Sequence, residues 1–185
     1  MTSTDRFRLI GGRPCLDLVA TLGRRHAVPV ERLPDPPALA DWLAAAGLLL
    51  TPPREVTPTH LGRTRTLREA VHRLVRAALE GRPLPIDDVT VVNHLAIGRD
   101  LVPQLLGVGE LSRISPRPVD AALVTLARDT AELLGSPLVE RIRECGHSDC
   151  SLLFLDDTPG LRRRWCSMDR CGNLVKIAAY RSRQR

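Results

Sequence analysis

The chain has 185 residues, 43% of them hydrophobic and 26% charged, with a net charge of +6. That balance excludes a disordered chain and fits one large domain or two small ones. A chain of this length buries about two thirds of its unfolded surface, so it needs no disulfide scaffold.

Apolar runs such as Leu48–Leu50 are too short to span a bilayer, and Met1–Arg6 lacks the apolar stretch of a secretory signal. The expected compartment is therefore a reducing cytoplasm, with no membrane partner. There, five cysteines are more readily metal ligands or buried thiols than a disulfide framework.

Phe7–Ile10 reads as a short strand running into a Gly11-Gly12 turn, followed by an apolar segment, Cys15–Leu22, of helical or extended form. Cys15 reads as a small buried hydrophobe, and Asp17 as a turn cap or a partner of Arg24 or Arg25. Asp35 can cap a helix with proline in its first turn. Its apolar face is Leu39, Trp42, Leu43 and Ala46, with Gly47 near its end.

A Pro/Thr-rich connector over 51–58 leads to a long helix from Thr59. Leu67, Ala70, Val71, Leu74, Val75 and Ala78 recur at helical spacing, Arg68, Arg73 and Arg76 turn outward, and Gly81 ends it. A further helix begins near Ile86, capped by Asp87 or Asp88, and carries Val91, Val92 and Leu95. Residues 100–117 predict a hairpin or irregular strand pair. Pro118 then opens an amphipathic helix with Ala122, Leu123, Leu126, Ala127, Thr130 and Leu134, ended by Gly135. His26, His60, His72 and His94 share no spacing and are assigned to surface or boundary positions. Five aromatics leave a core made mainly of Leu, Val and Ala.

The last quarter differs in kind. Cys145 and Cys150 form one C-x4-C pair, Cys166 and Cys171 a second, and fifteen residues separate them. Two close pairs joined by such a spacer are the sequence form of a four-thiolate zinc site, because a tetrahedral Zn²⁺ takes four soft ligands and a short loop lets each pair converge. The alternatives are four unrelated buried cysteines, an iron–sulfur cluster, whose usual spacings differ, or His147 replacing one sulfur. Ser151–Asp156 predicts a strand, Thr158–Gly160 a turn, Arg162–Trp165 a returning strand, and the segment after Cys171 a helix. The expected fold is α+β: a mostly helical domain with a few short strands over 1–138, then a small treble-clef or zinc-ribbon module over 139–185.

Residues 162–185 hold eight basic residues and one acid, a local charge of +7 against −1 for the rest of the chain. Such density is a footprint for polyanions, or else a solvated basic tail. On the last helix, Cys171, Leu174, Val175 and Ala178 share the side that packs on the hairpin. Arg170, Asn173, Lys176, Tyr180 and Arg183 share another, a polar stripe fit to lie along DNA or simply to face water. Four thiolates with Zn²⁺ carry −2, which neutralises only part of the excess.

Residues 163–173, Arg-Arg-Trp-Cys-Ser-Met-Asp-Arg-Cys-Gly-Asn, closely resemble the signature of the CGNR zinc-finger family, and Cys145, Cys150 and Leu153–Asp156 fit the same pattern. Gly11-Gly12, Leu16-Asp17-Leu18 and Thr21 resemble the ABATE domain that usually precedes it. The resemblance implies a bacterial stress-induced transcription regulator in which Cys145, Cys150, Cys166 and Cys171 hold one structural zinc and the module binds DNA. Arg162, Arg163, Arg164, Arg170, Asn173, Lys176, Arg181 and Arg183 are the candidate contacts. Leu174 stands where the name-giving motif has Arg, so DNA binding here is expected to be weaker or to rely on Arg162–Arg164 and the tail.

The competing reading is a protein-interaction module that zinc merely stabilises. An enzyme is not expected, because four thiolates close the metal shell, no P-loop occurs, and Asp17, Asp156 and Asp157 lack a His or Ser arrangement beside them. The expected partner is DNA, with room left for a homodimer and for an unidentified small-molecule effector in the N-terminal domain.

Overall fold

The computed structural model describes residues 6–183, and of residues 178–180 and 182–183 the backbone alone. Helix α1, Pro14–Val19, starts on a proline and buries Cys15, Leu16, Leu18 and Val19, more than one face, because it runs through the middle of the molecule. A two-residue antiparallel pair follows, β1 (Leu22–Gly23) with β2 (Val30–Glu31). Helix α2, Pro36–Ala45, is capped as its sequence predicts. The Asp35 carboxylate accepts from the Ala38 N–H at 2.8 Å, and Gly47, in a left-handed conformation, turns the chain away.

Helix α3, Pro58–Leu79, begins at a reciprocal cap: the His60 N–H donates to Thr57 Oγ1, and the Thr57 N–H donates to His60 Nδ1. Leu67, Ala70, Val71, Leu74 and Val75 then line its buried face. Helix α4, Ile86–Ala96, and helix α5, Pro118–Leu134, pack against α3, and α5 also packs on α1. These helices and α2 enclose one core of Leu, Val and Ala around Trp42 and Phe7. Between α4 and α5, β3 (Val102–Gly107) and β4 (Glu110–Ile114) form the expected irregular hairpin, bulged between Leu105 and Gly107. A 3₁₀ turn, Pro137–Arg141, leads to β5 (Ile142–Glu144), which pairs antiparallel with β6 (Leu153–Leu155). A π-helical turn, Met168–Gly172, opens the last helix, α6, Asn173–Arg183. Among the described residues no helix is long and apolar enough to cross a membrane. The architecture is thus α+β, mostly helical, with a small C-terminal module.

Four local expectations are corrected. Phe7–Ile10 is not a strand, because it meets no ladder partner. Phe7 serves as a buried anchor, Ile10 packs beside the cysteines, and only Gly11 O accepts from the β6 backbone, at Leu155 N. Arg68 does not turn outward. It is 3% exposed, because the β1–β2 pair folds over it and brings Glu31 to its guanidinium at 2.7 and 2.8 Å. Neither Asp87 nor Asp88 caps α4; the cap position is Pro85, and the buried Asp88 carboxylate binds Arg73 instead.

The fourth correction concerns the hairpin near the cysteines. Arg162–Trp165 does not return as a strand, since β5, upstream of the first cysteine pair, already occupies the edge of β6. The loop after β6 is held by Asp156, which accepts from Thr158 N, Thr158 Oγ1 and Arg163 N. Burial opposes ionisation there, but those hydrogen bonds outweigh it and hold the Asp156 carboxyl below the usual carboxylate range.

Candidate metal centre and its basic rim

The loop joining β5 to β6 carries Cys145 and Cys150, and the turn that starts α6 carries Cys166 and Cys171. The chain between them is drawn in by two bonds. Gly146 N donates to Arg164 O at 2.9 Å, and Cys166 N donates to Cys145 Sγ at 3.4 Å. Gly172 lets the turn pass close to Met168 and Trp165: a Cβ there would stand 2.7 Å from Met168 Sδ and 3.3 Å from Trp165 Cδ1. A hairpin knuckle, a second knuckle and a helix therefore converge on one point, the arrangement of a zinc ribbon or treble clef.

All four sulfur atoms lie within 4.8 Å of one another. Cys166 Sγ is 3.9 Å from Cys150 Sγ and 3.5 Å from Cys171 Sγ. Zn–S bonds of about 2.3 Å at tetrahedral angles place sulfurs about 3.8 Å apart, whereas a disulfide needs about 2 Å. The geometry fits a metal ion, and all the cysteines are free thiols. Their crowding points the same way. Hydrogen bonds from the Cys150 and Cys166 thiols favour a thiolate at Cys145, and that pairing pushes Cys166 far above the thiol range. Burial, joined by the neighbouring thiolates, pushes Cys171 up to about 11. Four such crowded thiols, three of them buried and Cys150 half-buried, ionise together around a cation. The cluster is the site of one structural zinc, with four thiolates completing its shell.

His147 does not join the set; its Nδ1 accepts from Asp149 N at 3.2 Å. Cys15 lies apart, fully buried, and burial beside Asp129 raises its thiol well above the ordinary range, so it is a packing residue.

The predicted DNA contacts divide into groups. Arg163 turns inward: its guanidinium stacks 4.5 Å from the Phe154 ring centroid and donates to the carbonyls of Trp165 and Cys166, which clamps the second knuckle. Arg162, Arg164, Arg170, Asn173, Lys176 and Arg181 are exposed, and among the described residues none of the five cations meets a carboxylate within 4 Å. The side chains of Arg183, Tyr180 and Ala178 lie outside the described residues. Leu174, expected to pack on the hairpin, is 54% exposed, and Ile177 on the same helix is also exposed.

Sequence reading missed the contacts that seat this module on the helical half. Arg25 N donates to Ser151 Oγ at 2.9 Å, His26 Nε2 pairs with Glu144 at 2.6 Å, and Glu144 also binds Arg76. These residues are separated by 68 to 126 positions, so no local spacing announces them.

Residues 12–137 match the family model of ABATE, described as "Putative stress-induced transcription regulator". Residues 141–184 match the model of the CGNR zinc finger. A comparison with curated proteins gives no match.

Proposed function

The chain belongs to the ABATE family and carries a CGNR zinc finger, and from that premise we propose that it is a zinc-dependent DNA-binding transcription regulator. Residues 139–185 bind DNA, and residues 1–138 support, sense or dimerise. One observation carries the reading: Arg162, Arg164, Arg170, Lys176 and Arg181 stand exposed around the metal centre without carboxylate partners among the described residues. In the helical half, by contrast, Arg25, Arg65, Arg68, Arg73 and Arg76 each pair with an acid. Unpaired cations keep their full charge for phosphates, and a rigid metal-clamped turn presents them at fixed spacing. Asn173, exposed on the first turn of α6, can present its amide to an adenine edge. Arg163 contributes by holding the second knuckle in place.

The test is a titration of zinc-loaded protein with duplex DNA at several salt concentrations. With about four phosphates engaged, log K against log salt falls with a slope near −3.6. Selection from random duplexes should return a preferred sequence, and affinity no better than for heparin with no preference would defeat the specific-regulator reading.

A second reading, a zinc-stabilised protein-interaction module, draws on exposed Leu174 and Ile177 beside the cations. It predicts that neutralising Arg162 and Arg164 leaves function intact.

A further inference from the structure

A cavity of about 220 Å³ opens where the helical half meets the zinc module. Ala20 and Leu22 line it from one side, Leu152 and Leu174 from the other, and Arg8 and Arg32 reach it from the N-terminal segment and from the end of β2. Its walls are mostly apolar, and its one acid among the described residues, Asp149, is 3.6 Å from Arg24, which leaves Arg8 and Arg32 without a carboxylate.

Arg32 is the unusual member. It is half-buried, and its Nη1 donates only to backbone carbonyls, Ala20 O at 3.2 Å and Val30 O at 3.4 Å. Its neighbour Glu31 gives both carboxylate oxygens to Arg68. Among the described residues no carboxylate lies within 4 Å of Arg32 or of Arg8, although Arg25, Arg65 and Arg68 nearby all have glutamates. Burial, and then the repulsion of Arg8 and Arg170, holds the Arg32 guanidinium below its usual range. The fold makes room for this costly group: a Cβ at Gly23 would stand 2.5 Å from Arg32 Nη1. The zinc cluster supplies −2 when loaded, which does not balance Arg8, Arg32 and Arg170 together.

A half-buried cation that no carboxylate pairs, at the mouth of a mostly apolar cavity, is the complement of an amphipathic anion. We propose that this cavity binds a small anion with an apolar body: a carboxylate or phosphate head on Arg32 and Arg8, and a short aliphatic or aromatic chain on Leu22, Leu152 and Leu174. The volume admits about seven water-sized groups, which sets the body at roughly the size of a six-carbon chain. Leu174 and Cys171, both lining the cavity, belong to the segment that presents the exposed cations. An occupant therefore touches the helical half and the helix α6 turn at once. That it adjusts DNA affinity rests on the regulator reading; that it binds does not.

The experiment is an amide-shift NMR titration of the zinc-loaded full chain with hexanoate, hexyl phosphate and hexan-1-ol, each to low millimolar. At least one anion should give saturable shifts at Gly23 and Leu152, at least tenfold tighter than the alcohol, and the stronger of the two identifies the head group. Arg32→Gln should weaken that anion at least tenfold while leaving the alcohol unchanged. If Arg32→Gln lowers zinc content, Leu22→Trp, which fills the cavity, replaces it and should abolish binding. No saturation by either anion, equal binding of the alcohol, or anion binding that survives the variant overturns the proposal. Each of these results is read without DNA, so a failed DNA titration leaves it standing.

Discussion

The two halves of this molecule solve the same problem with different means. The helical half closes around Trp42, Phe7 and a continuous set of Leu, Val and Ala side chains. The C-terminal module sends Ile142 and Leu153 into that core, and its own buried cluster is Ala20, Cys145, Leu152, Phe154, Cys166 and Cys171, three of which are sulfur ligands and one of which belongs to the other half. Burying an apolar side chain stabilises by about 1.5–3 kcal/mol, so this cluster cannot order some 45 residues by itself. Structural zinc supplies about 10–16 kcal/mol in comparable small modules. The metal is therefore the core of the second half. Charge differs too: many arginines of the first half meet carboxylates, Arg8 and Arg32 excepted, whereas among the described residues Arg162, Arg164, Arg170, Lys176 and Arg181 of the second meet none.

The largest test of that contrast is Cys166→Ser. Loss of one thiolate should release the zinc and unfold the module while most helical circular dichroism remains, with zinc content and protease cleavage after residue 141 as readouts. Retained zinc at full occupancy would break the comparison. Next is Arg68→Met, which takes the two-bond partner from half-buried Glu31 while Glu69 keeps Arg25, and should cost about 1.5–3 kcal/mol in a denaturant titration. Arg164→Gln, removing an exposed and unpaired cation, should change stability by no more than about 0.5 kcal/mol. The same change should reduce the salt slope of DNA binding by about 1.

Smaller effects come from two titrating groups in the helical half. Burial raises Asp17 to about 6 although Gly11 N donates to it, and burial with the nearby Arg25 lowers His72 to about 4. Between pH 4 and 6 the folded chain holds a proton on Asp17 that the unfolded chain lacks, so this group makes stability fall as pH rises. His72 acts oppositely: the unfolded chain takes the proton that the folded one refuses, so stability grows as pH rises from about 4 to 6.5. The two slopes oppose each other. Asp17→Asn should leave thermal stability climbing more steeply with pH than in the parent, and His72→Gln should leave it climbing less steeply. Unchanged slopes in both variants would contradict the burial of these groups. The smallest effect belongs to the hairpin tip. Leu105 is 82% exposed, and Leu105→Ser should shift stability by about 0.5 kcal/mol or less.

What could be read from the sequence was what local spacing encodes. The Asp35 cap, the apolar stripe Leu67–Val75, the start at Pro118 and the two C-x4-C pairs depend on residues a few positions apart, and the structure places them as their spacing predicts. The failures involve tertiary partners that spacing alone does not reveal. Whether Arg68 faced water depended on Glu31, whether Arg162–Trp165 became a strand depended on β5 reaching β6 first, and whether Arg163 stayed free depended on Phe154. Leu174 shows the limit from the other side. Its apolar character fitted a packed face, but Leu174 is more than half exposed and fronts the cavity instead. Arg32 had no signal at all, since an unpaired cation is recognised only once its surroundings are known.

The most direct test is elemental analysis of protein purified without added metal, read beside the accessibility of its thiols. One tightly held zinc per chain, with Cys145, Cys150, Cys166 and Cys171 protected until a strong chelator is added, is the result these sulfur distances require. Well under one equivalent, or four thiols that react freely in the folded protein, would contradict it.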